Sequence, residues 1–347
     1  MRITNMMMIN TMNYNLSRNL TNMNSQYEQM ATGKSFQTAS DNPVAASKSM
    51  LYTSELSEIE QYQANASDAT SRLSVTESSI DNVEDILERT RELTVQAANE
   101  TLSESDLQAI QAEINELNDQ LLEVSNTTYA GESLFGGYNV SSKPYVVNDE
   151  GVLLYNGSAA ALDGPYSSGM SDGDILLLYD TYDDDQLTSS DSNQNMIYRI
   201  GDNSEVDVNI EGQELFGAGE DSLFAVMQKI EMATAGATSY KRVDHSTTPH
   251  TVVGEDLDLS ALIGELDQCL EEVRATKAEV GARKNYVEIS ATRLKQDFNT
   301  YTALLSANED ADIAEVSMNL ANAESVYNAS LSAGAKIIVP TLSDFLR

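Results

Sequence analysis

The chain has 347 residues, of which 55 are acidic and 20 are lysine or arginine, so its formal net charge is −35 at pH 7. Such a charge repels the phosphate backbone of nucleic acids and the anionic surface of membranes, which argues against both as partners. Tryptophan is absent, phenylalanine numbers 6 and proline 5. This composition is poor in large core residues and helix breakers, and it favours long helices.

The N-terminal region predicts an amphipathic helix whose apolar residues are spaced three or four apart on one face. It is expected to end near Thr32 and Gly33, because glycine readily adopts the left-handed conformation of a helix C-cap. No cleaved secretory signal is expected, since the stretch lacks a small-residue cleavage site, and no apolar run is long enough to span a membrane. The apolar stripe consists of Ile9, Met12, Leu16, Leu20, Met23, Tyr27 and Met30.

Residues 40–43 predict a turn and the start of a second helix, with Pro43 in its first turn. From residue 59 to residue 97, apolar, alanine and threonine residues alternate at three and four positions over more than five heptads, which predicts a coiled-coil-like rod. Ser103 and Asp106 then predict a capping box for another helix. Two antiparallel helices of a bundle are the expected arrangement.

Residues 137–256 differ in character, with 21 acids against 5 bases and most of the glycines. Short apolar or alternating segments bounded by turn residues predict strands at 175–179, 196–200 and 205–210. A short helix capped by Asp221 or Ser222 is expected to follow. The pattern predicts a small, mainly β domain inserted between helical segments.

The C-terminal part returns to heptads between residues 263 and 305, where Lys277 and Lys284 interrupt the apolar stripe and must reach solvent or carboxylates. Asp312 predicts the cap of a final helix, which Pro340 is expected to end. Because each terminal helix has an unpartnered apolar face, the two chain ends are expected to pair. The face of the final helix includes Ile313, Val316, Leu320, Tyr327 and Leu331.

These patterns predict a mainly α fold with a long coiled-coil-like helical rod built from both terminal regions and an inserted small, mainly β domain. The predicted domains are a terminal helical assembly domain (1–44 with 306–347), a rod domain (45–136 with 257–305) and an outer β domain (137–256). The predicted assembly interface comprises the seven apolar residues of the first stripe and the five of the last.

The sequence offers little support for catalysis or cofactor binding. His245 and His250 are separated by a polar loop and lack a nearby carboxylate cluster at ligand spacing, so a zinc site is not predicted. The acidic run of Asp180 with residues 183–185 lacks the glycine and the closing glutamate of a calcium loop. Cys269 is the single cysteine, and it is interpreted as a small buried side chain. We therefore expect no enzyme, no metal and no cofactor.

Four segments resemble the flagellin family: residues 33–46, 93–103, 125–138 and 342–346. The first two are similar to the N-terminal half of these proteins, and the last two are similar to the members that form the hook–filament junction. The resemblance covers both helical zones. It implies terminal helices that line a tube, with the β insertion facing outward.

The resemblance further implies a homo-oligomeric ring at the hook–filament junction of the bacterial flagellum, in contact with hook-associated protein 1 and flagellin. It also implies type III export as an unfolded chain, with an export chaperone at the C-terminal helix. Filament flagellin is the alternative, although residues 41–44 and the chain ending differ from the usual filament pattern. A secreted coiled-coil adhesin or effector is an alternative of another class.

Overall fold

The computed structural model describes residues 5–99, 103–148, 152–156, 158–160, 164–182, 195–244 and 250–337. Among the described residues, the helices are α1 (Asn5–Thr32), α2 (Pro43–Ala97), α3 (Glu104–Ser125), α4 (Asp172–Tyr182), α5 (Gly212–Phe216), α6 (Leu223–Thr234), α7 (Leu259–Glu309) and α8 (Ile313–Ile337). The mainly α fold with long helices and a small β-containing region is confirmed.

In the part of the chain that the structure describes, ten short strands form small antiparallel sheets. They are β1 (Thr128–Tyr129), β2 (Glu132–Ser133), β3 (Tyr145–Val147), β4 (Leu153–Tyr155), β5 (Ser158–Ala159), β6 (Tyr166–Ser167), β7 (Ile197–Gly201), β8 (Ser204–Asp207), β9 (Ser239–Asp244) and β10 (Thr251–Asp256). The strand orders are β1-β2, β3-β4-β5, β10-β9-β6 and β7-β8.

The chain divides into two compact units. Unit 1 contains Met1–Gln61 with Leu294–Arg347, and unit 2 contains Tyr62–Arg293. Unit 1 therefore holds α1, α8 and one end of each long helix, whereas unit 2 holds the remainder of α2 and α7 and every strand of the described residues. The finer division into three domains stays a prediction.

Helix boundaries follow local sequence signals. Ser103 accepts a hydrogen bond from the Asp106 backbone while the Asp106 carboxylate accepts one from the Ser103 backbone, so the predicted capping box is confirmed. Ser222 caps α6 by accepting from Ala225 N, and Asp312 accepts from Ala314 N at the start of α8. The predicted end of α1 at Thr32 is also confirmed, with Gly33 at φ 71°. Pro340 lies outside the described residues.

The predicted strand at residues 175–179 is wrong, because this segment lies in helix α4. Ser171 Oγ accepts from Asp174 N at 3.1 Å and so provides the N-cap. Ile175 and Tyr179 are then one helical turn apart and pack with Val243 in a small apolar core. A run of five apolar residues has no periodicity that separates helix from strand, and leucine favours helices.

Two further differences concern short strands. The predicted strand at 196–200 is observed as β7, but β8 ends at Asp207 and so covers only part of the predicted segment 205–210. The β1–β2 hairpin was not predicted. Its turn places Ala130 at φ 52° and Gly131 at φ 88°, a geometry usually signalled by asparagine-glycine rather than alanine-glycine.

Candidate assembly interface

The two chain ends pair within unit 1, as predicted. Helix α1 lies antiparallel to α8: Asn19 Nδ2 donates to Ser330 Oγ at 3.0 Å, and Met12 contacts the backbone at Gly334. The least exposed α1 residues recur with a seven-residue period, which is the pattern of a two-helix seam. They include Ile9, Met12, Leu16, Asn19, Met23 and Gln26.

Small and polar residues give this seam its particular fit. Gly334 is buried, and a Cβ atom placed there would lie 2.1 Å from the terminal methyl carbon of Met12. Glycine therefore allows Met12 to lie directly against the α8 backbone. Asn19 and Gln26 occupy seam positions where a coiled coil normally has apolar residues, and such polar residues fix helix register at a cost in stability.

Backbone hydrogen bonds join the segments that follow α1 and precede α8. Gly33 O accepts from Ala311 N at 2.8 Å, and Ser35 N donates to Glu309 O at 2.7 Å. The Lys34 ammonium also forms an ion pair with the Glu309 carboxylate. These bonds set the antiparallel register at one end of the helix pair.

The predicted interface residues divide into two groups. Ile9, Met12, Leu16, Met23, Val316, Leu320 and Tyr327 are buried or half-buried. Leu20, Tyr27, Met30, Ile313 and Leu331 are exposed by 42–64%. The exposed group is the part that another molecule could contact, and its role in assembly stays a prediction.

Sequence reasoning missed Asn19, Gln26, Ser330 and Gly334. A search for apolar residues alone selects Leu20 and Tyr27. Each of them lies one position after a polar residue of the seam, Asn19 or Gln26. A strict seven-residue repeat starting at Ile9 and Met12 would have identified Asn19 and Gln26. Nothing in the sequence alone singles out Gly334, because its role is to leave space for the Met12 side chain, which contacts it only in the folded pair.

Within unit 2, α2 and α7 each bury a long apolar stripe. Leu73, Ile80 and Leu87 of α2 and Val280 of α7 have no exposed surface. The buried threonines of α2 are satisfied locally, because their hydroxyls donate to the carbonyl four residues earlier, as Thr90 does to Ile86 O at 2.8 Å. The seam therefore tolerates these threonines without leaving unpaired hydroxyl groups.

Ion pairs accompany this buried stripe. Lys284 Nζ lies 2.7 Å from Glu77 Oε2, and Lys277 Nζ lies 2.8 Å from carboxylate oxygens of both Asp81 and Glu84. Of the two predicted surroundings, solvent or carboxylates, both lysines thus have carboxylates. Hydrogen bonds from Lys277, and then from an arginine of α7, lower the pKa of the Glu84 carboxyl.

The groups considered for metal binding or reactivity lie only partly within the described residues. Within the described ranges, no cluster of three or more His, Cys, Asp or Glu side chains could hold a metal ion. Residues 183–185 and His245 lie outside those ranges. Cys269 is buried, and burial raises the pKa of its thiol to about 11, which confirms its interpretation as a packed side chain. None of the described helices could cross a membrane.

The fold and the paired chain ends define a class of protein in which long helices precede and follow a small β-containing region along the chain. Residues 3–140 match the family model of the bacterial flagellin N-terminal helical region. Over these residues the chain is similar to the flagellin N-terminal helical region, which agrees with the resemblance seen in the sequence.

Individual relatives agree with this. The chain is 34% identical to flagellar hook-associated protein 3 of Escherichia coli K12 over 133 residues, which are 37% of this chain and 42% of the relative. A flagellin from Salmonella montevideo is 24% identical over 361 residues, covering 91% of this chain and 70% of the relative. The chain spans less than half the length of the hook-associated relatives with curated names.

A crystal structure of flagellar hook-associated protein 3 from Legionella pneumophila has the same fold. Its TM-score is 0.54 at 16% identity, and the match covers 74% of this chain and 98% of that chain. At this identity the similarity concerns the fold alone.

Proposed function

We propose that this chain is a structural protein of the bacterial flagellum that forms the junction between hook-associated protein 1 and the flagellin filament. The antiparallel α1–α8 pair carries the proposal, because it retains exposed apolar side chains after the two ends have packed together. The 34% identity to hook-associated protein 3 over 133 residues supports the junction role. Subunits would form a homo-oligomeric ring, and the role is assembly rather than catalysis.

The exposed interface residues support contacts between subunits. Leu20, Tyr27 and Leu331 follow seam residues by one position on their helices, so they flank the seam rather than lie within it. The corresponding positions before the seam carry Asn15 and Asn22. The α1 side that carries Leu20 and Tyr27 is called the apolar flank; the opposite side of α1 carries the amides Asn15 and Asn22 together with the exposed Met8. We infer that the apolar flank packs against a helix of the neighbouring subunit.

Export completes the proposal: the chain leaves the cell by the flagellar type III apparatus without a cleaved signal peptide, and a chaperone holds its C-terminal helix beforehand. Copurification of a small cytoplasmic protein with full-length chain, but not with a chain truncated before α8, would support this step. Equal recovery with both chains would contradict it.

Deletion of the gene combined with immunogold labelling tests the junction role. We expect the deletion to leave hooks without filaments and flagellin monomers in the medium, and we expect gold particles only between hook and filament in the complemented strain. Labelling along the whole filament would instead establish the alternative, filament flagellin, which the long alignment to a flagellin favours. Normal filaments in the deletion strain would refute both.

A further inference from the structure

A cavity of about 380 Å³ lies within unit 2. Side chains of α3, α4, α6, β3, β4 and β6 line it. Its volume falls within the range of small-molecule sites, which is about 300–1,000 Å³. None of its described lining residues belongs to α1 or α8, so the proposed assembly function makes no use of it.

Much of the wall of this cavity is apolar. Phe224 is buried, whereas Leu122, Met170 and Met232 are half-buried, so each of these three keeps some accessible surface toward a ligand. Met170 also packs against the small apolar core that contains Ile175. The wall is thus held in place by the packing of unit 2, and it is suited to the apolar body of a small ligand.

The charged side chains at the cavity are all acidic. Asp119 of α3 and Glu231 of α6 are among its described lining residues, which include no lysine, arginine or histidine. Glu231 Oε2 accepts a hydrogen bond from Asn118 Nδ2 at 3.2 Å, and this bond holds the carboxylate between the two helices. Lys241, on the strand next to β6, pairs with Asp172 instead. The cavity therefore combines an apolar wall with two carboxylates and no basic side chain of its own.

We propose that this cavity binds a small organic cation with an apolar body, such as an arylalkylammonium ion. The wall would cover the body, and the carboxylates of Asp119 and Glu231 would pair with the charge. A neutral ligand of the same shape would partly desolvate these carboxylates without a counter-charge, and an anion would be repelled. Unit 2 contains 43 acids and 13 bases, so its field also draws cations toward the site. The inference goes beyond the assembly function and does not depend on it.

Three compounds of similar size and different charge test the proposal on the purified full-length chain. They are 2-phenylethylamine, which is a cation at neutral pH, the neutral 2-phenylethanol and the anion phenylacetate. NMR of ¹³C-labelled methionine methyl groups follows binding, because Met170 and Met232 line the cavity whereas Met50 is exposed in unit 1. We expect 2-phenylethylamine to shift the signals of Met170 and Met232, but not that of Met50, with a Kd of about 1 mM or tighter. The neutral compound should bind at least about tenfold more weakly, and the anion more weakly still.

A double variant with Asp119→Asn and Glu231→Gln removes both charges and keeps the size of each side chain. It should bind 2-phenylethylamine at least about tenfold more weakly than the unmodified chain. The matched control, Glu116→Gln with Glu123→Gln, neutralises two exposed carboxylates of α3 that do not line the cavity, and it should retain binding.

Equal weakening in the two double variants would show a general attraction of cations by unit 2 and would overturn the proposed site. Equal binding of the three compounds, or unchanged signals of Met170 and Met232, would overturn it as well. The comparison of the compounds on the unmodified chain decides the charge preference even if a variant fails to fold. None of these outcomes bears on the assembly function.

Discussion

The helix pair of unit 1 and the long helices of unit 2 have similar sequence patterns but very different burial. Among residues 7–32 of α1 none is buried, and among residues 313–335 of α8 only Val316 and Gly334 are. In unit 2, by contrast, Leu73, Ile80 and Leu87 of α2 have no exposed surface. The difference shows that three-four periodicity predicts a helical face but not how many neighbours cover it.

The pairing of polar groups also differs between the α1–α8 seam and the long helices of unit 2. The α1–α8 seam contains a neutral Asn19–Ser330 hydrogen bond, and Gln26 Oε1 is buried without a partner among the described residues. The α2 and α7 segments of unit 2 combine an apolar seam with ion pairs at its margin. We infer that unit 2 is stable alone, whereas the terminal pair gains much of its stability from contacts made on assembly.

The largest expected effect on the monomer is that of Leu87→Ala in unit 2. Leu87 is fully buried, so the substitution removes apolar contacts and leaves a cavity, at a cost of about 2–5 kcal/mol in the free energy of unfolding. Urea unfolding followed by circular dichroism measures the change. Leu20→Ala is the matched control, because Leu20 is 46% exposed and its truncation should cost less than about 1 kcal/mol. Equal costs would remove the contrast between the two regions.

Gly334→Val is expected to have an intermediate effect, confined to unit 1. The new side chain would overlap Met12, and overpacking of this kind costs about 1–3 kcal/mol. Hydrogen exchange should accelerate along α1 and α8 and stay unchanged in unit 2. Ala335→Val is the matched control, because Ala335 directly follows Gly334 and its side chain is exposed. If both variants exchange alike, the close fit at Gly334 does not hold the pair together.

A smaller effect is expected from Lys277→Met, which removes the cation between Asp81 and Glu84 but keeps an apolar stem. Pairs that are this exposed contribute about 0.5–1 kcal/mol. The Glu84 carboxyl has a lowered pKa in the folded state, so its contribution is present above the ordinary pKa of glutamate. That contribution is lost as the pH falls through the lowered value.

The unmodified chain should therefore lose more stability between pH 6 and pH 3 than the Lys277→Met variant does, as measured by urea unfolding at each pH. The exposed Lys295 supplies the control substitution Lys295→Met. A pH profile that Lys277→Met leaves unchanged would show that the ion pairs of Lys277 do not stabilise unit 2.

Much of this architecture could be predicted from the sequence, because capping residues and heptads act locally. Ser103 with Asp106, Gly33 and Ser222 mark helix ends through hydrogen bonds or backbone conformations that lie within a few residues. The strand predicted at 175–179 failed because a short apolar run depends on tertiary context. The pairing of the chain ends was predicted, but the α1–α8 seam depends on Gly334 and Asn19, whose roles emerge only when the two ends meet.

The smallest effect on the monomer, and the most informative one, is expected from Leu20→Asp. Leu20 is exposed on the apolar flank of the terminal pair, so a carboxylate there remains hydrated in the monomer, and the melting temperature and helical signal should hardly change. In an assembled ring the same carboxylate would be buried at every subunit contact. Each contact would then lose the burial of the exposed half of the leucine side chain, about 0.7–1.4 kcal/mol, and would add a desolvation cost. Asn22→Asp introduces the same charge on the opposite side of α1 and is expected to assemble normally.

Secretion of folded Leu20→Asp monomer by cells that lack filaments, together with normal filaments for Asn22→Asp, would identify the apolar flank as the subunit contact. Normal filaments for Leu20→Asp would exclude that flank, and a large loss of monomer stability would show that Leu20 is a core residue of the pair.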